Sequence, residues 1–135
     1  MTRDTSTGTN YEKRIDVLLE ENNIEYSSQV NIGIKRNGKR HRVDLIIDKT
    51  LVSLKHQQVG GTAEEKVPFE FMKLQHAVDD YGYNNAIIVL SGDTGWTWKE
   101  YYLSEEFKKS MKILYPDVMI ISHEDFIKLY DLKLP

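Results

Sequence analysis

The residues best placed to do chemistry fall in two neighbouring segments, Arg42-Val-Asp-Leu-Ile-Ile-Asp48 and Leu51-Val-Ser-Leu-Lys-His-Gln57. Both alternate as strands do, and only a turn at Asp48-Lys49-Thr50 separates them, so they should pair antiparallel. That pairing sets Asp44 against Lys55, with Ser53, Lys55 and Gln57 on one face of the second strand. Ionisable groups near the middle of a sheet are expensive to bury unless something compensates them. One reading is an ion pair on a solvated sheet face. The other is a divalent-cation site, with Asp44 as a hard oxygen ligand for Mg2+ and Lys55 positioning or polarising the attacking water. The residue types alone leave both open.

The elements that must hold these side chains can be read from periodicity. Residues 1–8 are small and polar and read as a flexible N-terminus, followed by one domain over 9–135. Thr9 with Glu12 fits a capping box at the start of a helix whose apolar stripe is Ile15, Leu18 and Leu19. Strands follow at 27–36, 40–48 and 51–57. Asn37-Gly38 joins the first two and predicts a tight type I′ turn with positive φ at both positions. A loop at Gly60-Gly61-Thr62 precedes a helix from about Pro68 to Tyr81, stopped by Gly82. Ala86-Ile-Ile-Val-Leu90 is a short unbroken apolar run, the mark of a strand buried on both faces. Residues 97–114 form a Trp/Tyr-rich helix or helix pair, 118–121 another buried strand, and Ser122 caps a last helix. The predicted fold is α/β, a single-domain mixed β-sheet flanked by helices: an αβββαβ core plus a C-terminal α-β-α.

Composition excludes several function classes. The 135 residues contain no cysteine, which removes disulfides, cysteine-ligated zinc, iron–sulfur clusters and thiol catalysis. The four histidines lack metal-ligand spacing, so a metal here would be bound by hard oxygen donors. Gly60-Gly61, Gly92 and Gly95 match no phosphate-binding loop, so no nucleotide cofactor is expected. No apolar run reaches the ~20 residues that span a bilayer, and the N-terminus lacks a signal peptide's apolar stretch, so a cytoplasmic location without membrane contact is expected. A net charge of −3 argues against a generally basic surface, although it permits a local one.

With these residues and this element order in hand, the chain resembles the PD-(D/E)XK nuclease superfamily, the restriction-endonuclease-like fold. Asp44 matches the signature aspartate, Val43 stands where the signature has proline, and Lys55 matches the lysine. The segment Gln57-Gln58-Val-Gly-Gly-Thr-Ala-Glu-Glu-Lys-Val-Pro-Phe-Glu70 looks like the loop and helix start of small members from restriction, phage and intron-homing systems. The likeness spans roughly residues 9–91. It implies a Mg2+-dependent DNA endonuclease, with Mn2+ as a substitute.

One signature position departs from the pattern. The acidic residue expected two before Lys55 is Ser53, whose neutral hydroxyl is a poor Mg2+ ligand. Three explanations stand. The carboxylate has moved to the following helix, with Glu70 the natural candidate and Glu64 or Glu65 behind it; the chain is an inactivated glutamate-to-serine form; or it is a non-catalytic subunit that binds nucleic acid or a partner protein. The resemblance also implies that a first-helix glutamate, Glu12, reaches the metal, whereas the capping box gives it a structural role. Gln57 either hydrogen-bonds a phosphate or metal-bound water, or points to solvent.

Cations gather around the Asn37-Gly38 hairpin: Lys35, Arg36, Lys39, Arg40 and Arg42, with Lys13 and Arg14 on the first helix nearby. A charged hairpin tip is often only a solvated one. Beside a phosphodiester-cleaving site it would contact backbone phosphates, which gives affinity without reading sequence. His76 reads as half-buried, and Trp96, Trp98, Tyr101 and Tyr102 as core or oligomer interface. One small active site cuts one strand, so double-strand cleavage implies a homodimer or a partner subunit.

Overall fold

The unbroken apolar run at 86–90 lies where such a run must, buried throughout and in the interior of a sheet. The architecture is taken from a computed structural model that describes residues 6–57 and 64–134. Its elements are α1 (Ser6–Glu21), β1 (Ser27–Ile34), β2 (Arg40–Ile47), β3 (Thr50–His56), a 3-10 turn (Glu64–Lys66), α2 (Val67–Tyr81), β4 (Asn85–Ser91), α3 (Lys99–Tyr102), α4 (Glu105–Leu114), β5 (Val118–Ser122) and α5 (His123–Leu129). The five strands lie in sequence order. β1, β2 and β3 pair antiparallel, and β3, β4 and β5 run parallel. The sheet is mixed and flanked by helices on both faces, as the element order predicts.

Each face of the sheet carries its own core. On one side Phe71 and Leu74 of α2 and Phe107 of α4 pack on Leu51, Ile88, Leu90 and Ile120. On the other, Ile15 and Leu19 of α1 and Phe126 of α5 pack on Leu45, Val52, Ile87 and Val89. The alternation of Ile87/Ile88 and Val89/Leu90 between the two cores follows from strand geometry, in which successive side chains point to opposite faces.

Three local expectations are corrected. α1 begins at Ser6 rather than Thr9, so Thr9 and Glu12 lie inside the helix and the capping box does not form. The hairpin between β1 and β2 has positive φ only at Gly38. Gly38 N–H donates to Lys35 O at 2.8 Å and Lys35 N–H to Lys39 O at 2.7 Å, a turn closed by one left-handed glycine instead of a type I′ pair. β3 ends at His56, which leaves Gln57 one residue past the strand. The loop read at Gly60-Gly61-Thr62 lies outside the described residues. The expected pair of helices over 97–114 is present as α3 and α4, and Ser122 caps α5 by accepting from Asp125 N–H at 3.1 Å.

Tyr81, at the end of α2, fastens the hairpin to the body. Its hydroxyl donates to Ile34 O and accepts from Ile34 N–H, both at 2.7 Å. The approach requires Gly33, where φ is 137° and a Cβ would lie 2.3 Å from Tyr81 Cζ. β1 is bulged at this point, between Asn31 and Gly33.

Candidate active site

β2 and β3 are paired at only three positions, Leu45–Val52, Ile46–Leu51 and Ile47–Thr50. Beyond them the strands part, and Asp44 is the first residue past the fork. Val43 packs in the α2-side core while Leu45 packs in the opposite one, although i and i+2 normally share a face. The break in alternation turns the Asp44 carboxylate toward β3, where Oδ2 accepts from Leu54 N–H at 2.7 Å.

α1 brings Glu12 to the same place. Its carboxyl lies close enough to that of Asp44 for the two to act on one another, and Gln29 Nε2 donates to Glu12 Oε2 at 3.0 Å. Burial, reinforced by the Asp44 charge, pushes the Glu12 carboxyl up to about 7. Burial also raises Asp44 above the ordinary aspartate range, against the pull of the Leu54 N–H and the Lys55 ammonium. Two carboxyls confined together cannot both ionise cheaply near neutral pH.

α2 closes the site from the other side. Glu70, whose side chain is 8% exposed, pairs with Lys55 at 3.0 Å and with Lys73 at 3.4 Å. Burial alone would raise its pKa, but the two ammoniums outweigh it and hold the carboxyl below the usual glutamate range. Ser53 is buried on the β3 face that also carries Leu51 and Lys55. The expected residues form two pairs, Asp44 with Glu12 and Glu70 with Lys55, and the charges of Glu70 and Lys55 both act on Asp44.

Among the described residues no three His, Asp or Glu side chains are grouped closely enough to hold a metal by themselves. Mg2+, however, commonly takes one or two carboxylates and fills the remaining positions with water and substrate phosphate. Asp44 and Glu12 offer oxygen donors only, and their mutual repulsion is what a cation would relieve. The residues present fit.

A family model described as the PD-(D/E)XK nuclease superfamily domain matches residues 3–130. The chain belongs to the PD-(D/E)XK nuclease superfamily. No curated protein and no solved structure matches it. The PD-(D/E)XK assignment agrees with the mixed sheet and supports a nuclease-like activity in general terms; nucleases of this superfamily generally use divalent metals. No helix among the described residues is long and apolar enough to cross a membrane.

Other expected residues are placed as follows. Gln57 is buried, and its Nε2 donates to Gly95 O, while its Oε1 has no partner among the described residues. Glu64 is buried and accepts at Oε1 from Thr97 N–H and from Trp98 N–H, the latter at 2.7 Å, so it anchors a loop away from the carboxyl pair. Arg36, Lys39, Arg40 and Arg42 are exposed along the hairpin and Lys35 is half-buried. Arg36 is engaged by both oxygens of Asp80, at 3.0 and 3.1 Å. Lys13 and Arg14 line a different cavity from Lys35 and Arg36. His76 is half-buried, Tyr102 belongs to the core, and Trp98 and Tyr101 remain exposed. Lys73 was missed by sequence reasoning, although its i+3 spacing from Glu70 was a usable signal. Gln29, held at φ 53°, carried no such signal.

Proposed function

We propose that this chain is a metal-dependent endodeoxyribonuclease in which Asp44 and Glu12 hold Mg2+ or Mn2+ and Lys55 serves the attacking water. The observation that carries this reading is the Asp44–Glu12 pair: two carboxyls forced together at a strand fork, each with a raised pKa. Burial raises both carboxyls and the Asp44 charge raises Glu12 further, a cost that a bound cation would relieve. A bound divalent cation supplies charge neutralisation at the phosphate and acidifies nearby water.

The protein's own groups have distinct tasks. Glu70 holds the Lys55 ammonium in place, and Lys73 shares the same Glu70 oxygen. Lys55 orients the water and neutralises negative charge that grows on the phosphate as the bond breaks. The Leu54 N–H fixes one Asp44 oxygen, so the carboxylate is oriented before anything binds. Glu70 thereby takes over part of the work of the acidic residue replaced by Ser53, by controlling the lysine. Lys39, Arg40 and Arg42 supply phosphate contacts on the substrate backbone, and two copies of the chain or a partner subunit complete a double-strand cut.

Plasmid nicking with Mg2+ or Mn2+ tests the reading, using the natural chain, Asp44→Ala and Ser53→Glu. Nicking by the natural chain that disappears in Asp44→Ala is expected. Nicking by Ser53→Glu alone would identify a catalytically impaired form. Folded proteins that bind DNA without cutting it, Ser53→Glu included, would point to a non-catalytic subunit and end the enzymatic reading.

A further inference from the structure

A cavity of about 560 Å3 lies apart from the carboxyl pair, at the carboxyl ends of the parallel strands β3, β4 and β5. Open α/β sheets present ligand crevices at this end of their strands. Each strand delivers a polar side chain to it: His56 ends β3, Ser91 ends β4, and His123 follows β5 directly. Tyr11 of α1 lies across them. Its ring stacks on His56 with centroids 4.9 Å apart, and its hydroxyl hydrogen-bonds His123 Nδ1 at 2.8 Å. His56 Nδ1 contacts Ser91 Oγ. Both imidazoles therefore have one nitrogen fixed, and among the described residues neither Nε2 has a hydrogen-bond partner.

The chemistry of the walls narrows the occupant. Arg14, whose guanidinium lies 5.7 Å from the Tyr11 ring centroid, and Lys13 offer positive charge at the rim. Leu18 and Leu134 supply an apolar wall, and Asp93 and Glu124 supply acceptors. Burial, together with Arg14 and Lys99, favours the neutral form of both imidazoles, outweighing Glu124 at His123 and Asp93 at His56. Neutral imidazoles hydrogen-bond a polar ring without adding charge. An anionic group at the rim, a flat body against leucine, and amino groups facing carboxylates together describe a nucleotide. The volume falls within the range of small-ligand sites, roughly 300–1,000 Å3. The cavity also shares its elements with the candidate active site, because Tyr11 and Lys13 flank Glu12 and His56 follows Lys55.

We infer that this cavity binds a nucleoside monophosphate, either as a unit of the strand being cut or as the free nucleotide, with its phosphate on Arg14 and Lys13 and its base among His56, Ser91 and His123. The inference rests on the nuclease reading for its choice of substrate class.

The four histidines make it testable by proton NMR of their imidazoles, because His41 and His76 line a separate cavity near the hairpin. Metal-free protein is titrated with 5′-dAMP and, separately, with a short single-stranded oligodeoxynucleotide. The expected result is that dAMP shifts the His56 and His123 signals and leaves those of His41 and His76 in place. Arg14→Gln, at an exposed position, should weaken dAMP binding by roughly tenfold or more. An oligonucleotide response at His56 and His123 assigns the strand as the source, and a response to dAMP alone assigns the free nucleotide. Silence at His56 and His123 with both ligands overturns the inference. The readout needs neither metal nor cleavage, so a failed nicking assay leaves it intact, and silent histidines leave the nicking assay intact.

Discussion

Glu12 and Asp44 reach the fork between β2 and β3 from a helix and a strand, and the Asp44 charge adds to burial in raising the Glu12 carboxyl. That repulsion costs stability in the absence of a cation and fixes the sign of the pH dependence. The Glu12 carboxyl is raised from 4.5 to about 7. Between those values the folded state holds a proton that the unfolded state has released, so stability falls as pH rises.

Metal-free protein should therefore lose stability between about pH 4.5 and 7 through Glu12 and level off above pH 7. Glu12→Gln flattens this part of the profile, as urea denaturation at a series of pH values will show. Addition of Mg2+ should stabilise the natural chain more at pH 8 than at pH 6, because the cation competes with the proton on Glu12. Asp44→Asn removes the Mg2+ effect at both values.

The Lys55–Glu70 pair gives a second prediction. Removing one partner of a buried pair costs roughly 3–5 kcal/mol. Here the loss in Glu70→Gln should be nearer 2–3 kcal/mol, since the Lys55 side chain keeps 22% exposure. The double variant Glu70→Gln/Lys55→Met should recover more than half of it in a denaturation cycle. Nicking should drop by about a hundredfold or more in Glu70→Gln, because the lysine loses its orientation.

Glu64 provides a contrasting case. Glu64→Ala leaves the Thr97 and Trp98 N–H groups without their acceptor and should cost about 2–3 kcal/mol. Calorimetric Mg2+ affinity should stay unchanged. A loss of metal binding would place Glu64 in the site after all.

The hairpin cations make a salt-dependence prediction. Each phosphate contact contributes about 0.9 to the slope of log affinity against log salt. The double variant Lys39→Gln/Arg40→Gln should lower that slope by roughly 2 in duplex-DNA binding. Arg36→Gln should change it by less than half a unit, roughly, because Asp80 already holds that guanidinium.

Much of the fold is legible from local patterning. The apolar run at 86–90, the alternation in β2, and the Pro68 and Gly82 boundaries of α2 all report short-range physics. The α1 start is misread because Thr9 and Glu12 satisfy a capping rule that the helix overrides by beginning earlier. The hairpin is misread because Asn37-Gly38 suits several turns and only the closing hydrogen bonds choose among them. In the candidate site, Asp44 and Lys55 stand out by their strand positions and Glu70 through the family resemblance, but their partners cannot be read from either. That Glu12 meets Asp44 while Glu70 meets Lys55 depends on which face of the sheet each helix covers, a tertiary fact. Lys73 and Gln29 join for the same reason.

The fork itself has a consequence for the main chain. Because β2 and β3 separate after three paired positions, the backbone N–H of Leu54 is left without a partner across the ladder and is free to hold the Asp44 carboxylate instead. The gap in the ladder is thus what lets a strand side chain be oriented by main chain alone.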